Sequence, residues 1–459
     1  MSPRRVLVAA LLAWGASIAA ALIVSAPLHG DEAAYAVLAR TGADDWLYRS
    51  RGVVALARAG LALGGSDLAM RLANAVLGFG AVVGAAAVAR ALAGCARPAD
   101  SARASRVAAW TAAAIAGSHP FVLRGAELLG DVPATAALLA AIALALGELS
   151  RDAGPRWRLV AAAPLLAAAF YLRYGNVLTI AAIAVTSLAF FHRGVRARPL
   201  PVAATAAALG ALAIPFVVMS QHATGSPIAI LTLGNTVAGR AESYPGAGVV
   251  EYLTSDPFYL YGIVTFPLVV VAAVALVKRP RTRTRAHAYL ATIAGLQLLS
   301  VGAVTHAEPR YVLVATALLV AIALDAIADR LVRRAALAAA ALAALAAASC
   351  TVMMAISQSR VPRDSEVRGA AIRDAAAGEP CVVVAIAIPQ LEWYSRCAGA
   401  KWSPPLAPPP LPPDLRARGR VYAADAPGFA PLDVPALARA TGTTPAAIAA
   451  GAWRLEPAP

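Results

Sequence analysis

Long apolar runs recur from one end of the chain to the other, and their length carries the first structural inference. An α-helix needs roughly 20 mostly apolar residues to cross a bilayer, because an unpaired backbone amide in hydrocarbon costs several kcal/mol. Such runs lie at about 6–25, 70–92, 106–119, 132–148, 158–172, 175–191, 200–219, 258–277, 287–304, 311–328 and 335–356. They predict an all-α polytopic membrane protein of about eleven transmembrane helices, of which the third, fifth and tenth are short or interrupted. The first run follows Arg4 and Arg5 and precedes Ser25 and Ala26, as a cleaved signal peptide would. Its length suits a spanning helix instead, and later spans make a cleavable signal unnecessary.

Three regions exceed simple connectors. Residues 26–69 contain two weakly amphipathic stretches, Ala33 to Arg40 and Val53 to Leu63, of the kind that lie along a membrane surface. Residues 220–257 hold the turn signals Gly234-Asn235, Tyr244-Pro245-Gly246 and Asp256-Pro257. After about 357 the alanine-rich helices give way to proline clusters and to the apolar run Cys381 to Ile386, which reads as a buried strand. A helix at about 364–377 and another at about 434–451 flank it. The expected division is a membrane domain over 1–356 and a small C-terminal extracytoplasmic α/β domain over 357–459.

Composition agrees. Hydrophobic residues make up 60% of the 459 and charged residues only 14%, with mean hydropathy +0.67. A soluble domain carries about 25% charge, so soluble and disordered classes are excluded. The formal net charge is +15. With the N-terminus cytoplasmic, the inner loops hold twenty basic and five acidic residues, while the outer loops and tail nearly balance. The excess is therefore the positive-inside signature of a multi-pass inner-membrane protein with its C-terminal domain outside, and gives no reason to expect nucleic acid. Cys95 and Cys350 sit at membrane ends. Cys381 and Cys397 flank one strand and turn in the exported region, where an oxidising compartment permits a disulfide, although two unpaired thiols fit the spacing equally well.

Charges near the membrane surface need a reason, because burial there is expensive without a partner or a cavity. Four outer connections hold them: His29-Gly30-Asp31-Glu32-Ala33-Ala34-Tyr35; His119 to Pro133, including Arg124, Glu127 and Asp131; Arg173-Tyr174-Gly175-Asn176; and His306-Ala307-Glu308-Pro309-Arg310-Tyr311. Each has a structural alternative. Asp31 and Asp131 fit helix N-termini as caps, and Arg173 and Arg310 fit snorkelling to the interface. Their coincidence on one face favours chemistry. A carboxylate can take a proton from an attacking hydroxyl or amine, and guanidinium forks hold phosphate. A polyprenyl-phosphate sugar, its tail in the bilayer and its headgroup outside, would meet both.

These residues carry a resemblance. Asp31-Glu32-Ala33-Ala34-Tyr35 resembles the acidic first-loop motif of GT-C-type integral membrane glycosyltransferases. The likeness is to glycosyltransferase family 39 in particular, with its protein O-mannosyltransferases and aminoarabinose transferases. Asp131-Val132-Pro133 resembles the second Asp-x-Pro landmark of that group. His306 to Tyr311 is similar to the His-Lys-Glu-x-Arg-aromatic motif of related mannosyltransferases, with Ala307 in place of the lysine. The layout matches over about 1–330, the motifs over about 20 residues.

The resemblance implies inverting hexosyl or pentosyl transfer from a polyprenyl-phosphate sugar donor to an envelope acceptor, whether lipid, glycan or protein. It implies Asp31 as general base with Glu32 beside it, and Asp131, Glu127 and Tyr35 about the acceptor or sugar. Arg310, set by Glu308 and His306, would hold donor phosphate, with Arg173 and Arg124 as further candidates. Members differ in their need for a divalent metal, so the metal stays open. Two other classes compete: a transporter or lipid flippase, which would place charges near the midplane of two repeated halves, and a non-catalytic scaffold, which would leave the outer carboxylates without a role.

Overall fold

The structure is a computed structural model. It describes residues 2–24, 27–42, 48–150, 157–237, 246–278, 284–329, 348, 351–354, 356, 360–402, 414–415, 417–427 and 429–458. In chain order the helices begin with α1 (Pro3–Val24), α2 (Gly30–Thr41), α3 (Arg51–Ala62), α4 (Asp67–Ala96), α5 (Ser101–Ala116), α6 (His119–Ala126) and α7 (Asp131–Leu149). They continue with α8 (Ala162–Leu172), α9 (Val177–Arg196), α10 (Pro199–Thr224), α11 (Ala229–Val237), α12 (Ala247–Thr254), α13 (Pro257–Tyr261), α14 (Thr265–Lys278), α15 (Arg285–Val304) and α16 (Leu313–Ile327). Two compact units result: Met1–Ala21, Asp45–Leu56 and Arg71–Val352 form the first, and Leu22–Asp44, Ala57–Met70 and Met353–Pro459 the second.

In the first unit, six described helices are long and apolar enough to cross a membrane: α1, α4, α7, the segment Tyr174–Arg196, α10 and α15. The apolar helices Trp157–Leu172, α14 and α16 are shorter. The expected span at 258–277 is broken, because α13 stops at Gly262, which adopts φ 89°, and α14 resumes three residues later. Gly234 and Asn235 fall inside α11 rather than in a turn. Most of the expected span at 335–356, with Cys350, lies outside the described residues.

The centre of the first unit is α7, 72% of whose apolar window is buried within the protein, against 6% for α10. Lipid tails are as apolar as leucine, so helices in a membrane associate by close packing at small residues. Gly84 on α4 shows why: a Cβ there would stand 3.0 Å from Cβ of Leu139 on α7. At one end of the helices, Arg103 (start of α5) donates to the Asp325 carboxylate (end of α16) at 2.7 Å and to its carbonyl at 2.6 Å. His287, in the first turn of α15, meets the other Asp325 oxygen at 3.1 Å. Arg103 is thus no solvated inner-loop cation but part of a buried clamp across three helices.

The second unit is built on a sheet of β1 (Cys381–Ala385), β2 (Ala398–Lys401), β3 (Arg420–Ala424), β4 (Thr443–Ala449) and β5 (Ala452–Pro457), in the order β2-β1-β3-β5-β4. β1 runs parallel to β2 and β3, and β5 antiparallel to β3 and β4. Helices α17 (Arg360–Ala376), α18 (Pro389–Ser395) and α19 (Val434–Thr441) accompany it. Val382 and Val384 pack with Leu437 of α19, while Val383 and Ala385 pack with Ile372 of α17 and Leu391 of α18. Both faces of β1 are covered, so its sequence is a continuous apolar run. A disulfide joins Cys381 to Cys397. The helix expected over 434–451 ends at Thr441, because Gly442 takes the left-handed conformation (φ 59°) and closes it. Residues 443–457 then form a hairpin.

Candidate active site

Opposite the Arg103 clamp, three connections of the first unit bring charged side chains together: α6 with the start of α7, the α8–α9 turn, and the α15–α16 turn. The first is held by Asn74, a fully buried amide in the apolar run of α4. Its Nδ2 donates to the Gly125 carbonyl at 3.0 Å and its Oδ1 accepts from the Gly130 N–H at 3.0 Å. Gly130 has φ 75°, and a Cβ there would come within 2.6 Å of Val53 Cγ2 and 3.0 Å of the Leu172 carbonyl. Only glycine fits that corner. It serves as N-cap of α7, so the Asp131 carboxylate is not needed as a cap.

Asp131, its side chain wholly buried, forms an ion pair with Arg173 of the α8–α9 turn. The Arg173 guanidinium lies over the Tyr311 ring, 4.6 Å from its centre, and Arg310 lies over the same ring at 5.2 Å. Arg310 pairs with Glu308, whose other oxygen meets His306 Nε2 at 2.6 Å. Arg124 donates to Glu127 at 2.7 Å. Burial raises the Glu308 pKa, but Arg310, His306 and Arg124 together outweigh it and hold this carboxyl below its ordinary range. Arg124 feels burial against its charge, yet Glu127 more than compensates, so the guanidinium is held charged more firmly than usual. Arg310 and Glu308 also act on Arg124, which makes the two ion-paired groups neighbours in one cluster.

Two further residues support the cluster. Glu251 of α12 accepts the Ala307 N–H at 2.7 Å and so fixes the backbone between His306 and Glu308. Tyr252 is buried beside Tyr261 and Tyr311. Close approach of α12 to α15 depends on Gly302, where a Cβ would stand 2.8 Å from the Val249 nitrogen. Neither glutamate nor tyrosine is marked by the turn-rich sequence around it, whereas Asn74 is a lone amide inside an apolar span.

Of the residues expected from sequence, Arg124, Glu127, Asp131, Arg173, His306, Glu308 and Arg310 share this cluster. Asp31, Glu32 and Tyr35 are carried by α2 in the second unit. There Glu32, with no exposure, accepts the His29 N–H at 3.1 Å and belongs to the cap of its own helix. Asp31 is half-buried and is not the cap, and Tyr35 is buried. Among the described residues, no three His, Cys, Asp or Glu side chains are grouped as ligands for a metal ion. The arrangement suits a dianion. Three guanidiniums accompany three carboxylates, and two of them stand over one aromatic ring within cation–π distance.

No protein-family model and no curated protein matches the sequence. Solved structures do. ArnT from Cupriavidus metallidurans bound to undecaprenyl phosphate superposes with a TM-score of 0.70 at 16% identity, covering 98% of this chain and 97% of that one. The chain has the GT-C fold. ArnT in the apo state gives a TM-score of 0.66 at 14% identity over 97% of both chains. The archaeal oligosaccharyltransferase AglB from Archaeoglobus fulgidus, in complex with an inhibitory peptide and a dolichol-phosphate, gives 0.56 at 14% identity. That match covers 86% of this chain and 64% of AglB. With the apolar helices, the shared GT-C fold makes this a multi-pass membrane protein.

Proposed function

We propose that the protein is a membrane glycosyltransferase that moves a sugar from a polyprenyl-phosphate donor to an envelope acceptor on the extracytoplasmic face. The observation that carries this reading is the convergence of Arg124, Arg173 and Arg310 with Glu127, Asp131 and Glu308 at one end of a GT-C bundle. Undecaprenyl phosphate and dolichol-phosphate in the ArnT and AglB structures support the choice of donor. The loop charge balance supports an extracytoplasmic site in the inner membrane.

In this mechanism the Asp31 carboxylate takes the proton of the acceptor hydroxyl or amine. The acceptor atom attacks the anomeric carbon from the face opposite the phosphate, the bond from that carbon to the phosphate oxygen breaks, and polyprenyl phosphate leaves. Arg310, oriented by Glu308 and Tyr311, receives the negative charge that develops on the leaving oxygen, with Arg173 and Arg124 beside it. Guanidiniums already fixed in place stabilise that charge without reorganising during the reaction. Asp131, in its ion pair, shapes the sugar pocket.

The test is mass spectrometry of envelope lipids and glycans from cells with and without the protein. A sugar lost without it, and not restored by Asp31→Asn, is the expected result. Restoration by Asp31→Asn removes this residue from the mechanism, and an unchanged envelope removes the function.

A further inference from the structure

In the second unit, the short helix α18 touches α2 at both ends. Before α2 begins, the Leu28 N–H donates to the Tyr394 hydroxyl at 2.6 Å, and the Gln390 side-chain amide donates to the Leu28 carbonyl at 3.3 Å. In the last turn of α2, Arg40 donates through both terminal nitrogens, to the Trp393 carbonyl at 3.2 Å and the Glu392 carbonyl at 3.0 Å. Its guanidinium also stands 5.3 Å from the centre of the Trp393 ring. The Glu392 carbonyl also accepts the Arg396 N–H at 3.2 Å, so Arg40 adds a charged donor to the closing turn of α18, where the C-terminal end of a helix favours a cation.

A third point of attachment is Asp67. Its Oδ2 accepts from the Tyr394 hydroxyl at 2.7 Å and its Oδ1 from the Trp393 indole nitrogen at 3.1 Å. Tyr394 thus accepts from Leu28 and donates to Asp67, linking two segments of the first outer loop through one phenol. The Cys381–Cys397 disulfide closes the segment in which α18 lies, so the gripping side chains stand on a covalently stapled platform.

We infer that α18 is a positioning element for α2: Tyr394, Trp393 and Gln390 fix the axial place and rotation of the helix that bears Asp31. The inference rests on the proposed role of Asp31. A helix held only at one end can pivot about it; one held at Leu28 and again twelve residues later at Arg40 cannot. The C-terminal sheet would then act on the reaction through backbone geometry rather than by touching substrate, and a displacement of about 1 Å in a reacting group is enough to cost a hundredfold in rate.

The test uses the full chain in lipid nanodiscs and three variants. In Tyr394→Phe, which keeps the ring and loses both hydrogen bonds, amide exchange over residues 30–41 should rise at least tenfold while β1 and β3 stay protected. Undecaprenyl phosphate, used alone as the probe, should bind within twofold of the unaltered protein. In cells carrying the variant, sugar transfer to the envelope, read by mass spectrometry, should fall at least tenfold. Asp67→Asn retains one acceptor oxygen and should lie between the two. Unchanged exchange in α2 overturns the inference, as does a loosened α2 with normal transfer. Asp31→Asn separates the two ideas: its loss of transfer beside a fully active Tyr394→Phe defeats the positioning role alone, whereas its full activity defeats the reading of Asp31 on which that role rests.

Discussion

The hydrogen bond from Ala307 N–H to Glu251 permits the sharpest forecast, since one carboxylate oxygen at 2.7 Å holds the backbone between the two residues that orient Arg310. A hydrogen bond to an ionised acceptor contributes about 1.5–3 kcal/mol. Truncation by Glu251→Ala removes it and leaves the amide without its acceptor. At 1.4 kcal/mol per factor of ten, the displaced form of the loop should gain roughly tenfold to hundredfold in population. Glu251→Gln keeps a neutral acceptor of about half the strength, so its penalty should be near 1 kcal/mol, roughly fivefold. The assay is undecaprenyl phosphate binding to purified protein, with the Kd compared at equal thermal stability. Expected is a graded loss, glutamine before alanine. Binding within twofold for Glu251→Ala in a folded protein would show that Arg310 is placed without this loop, and the reasoning fails.

Two other expectations concern stability. Asp325→Ala leaves Arg103 and His287 facing each other in a buried site, and loss of one partner of a buried pair costs about 3–5 kcal/mol; Asp329, which Arg103 reaches at 3.3 Å, offsets part of that. The thermal midpoint should fall by several degrees, Arg103→Met with Asp325→Leu should recover much of it, and an unaltered midpoint in the single variant would count against the clamp. Burial pushes the His119 imidazole down to about 4, with Asp256 pulling weakly the other way. Between about pH 6.5 and 4 the unfolded chain therefore binds a proton that the folded chain refuses, so stability falls as pH drops, by at most about 3 kcal/mol. In His119→Gln the melting temperature should depend less on pH across that interval; an unchanged slope contradicts the assignment.

Length made the multi-pass membrane architecture readable, because hydrocarbon leaves a chain few other ways to satisfy its backbone. Positions of the acids and arginines were readable too, since sparse charges stand out among alanines. Which charge pairs with which was not. Asp131 and Arg173 are 42 residues apart in sequence and meet only because α7, α8 and α9 fold back on one another, a matter of helix packing that no local pattern encodes. Glu251 is invisible for the same reason, its partner being a backbone amide in another connection. Asp31 and Glu32 look interchangeable in sequence, yet helix geometry gives the cap to the one at the third helical position. The helix expected beyond Thr441 misled because alanine dominates Pro445 to Ala450, and pairing with β5 overrides alanine's helical preference.

That division says something about how the scaffold is organised. Buried ion pairs stand at both ends of the bundle, but they differ in kind. At the Arg103 end each strong donor has its acceptor: Asp325 takes the guanidinium with one oxygen and His287 with the other, and the three helices are locked. At the other end Arg310 and Arg173 stand over the Tyr311 ring as well as pairing with Glu308 and Asp131, so part of what holds them is a cation–π contact rather than a second ion pair. The same chemistry that locks three helices at one end thus gathers three guanidiniums at the other, and the proposed binding of a polyprenyl phosphate depends on that group.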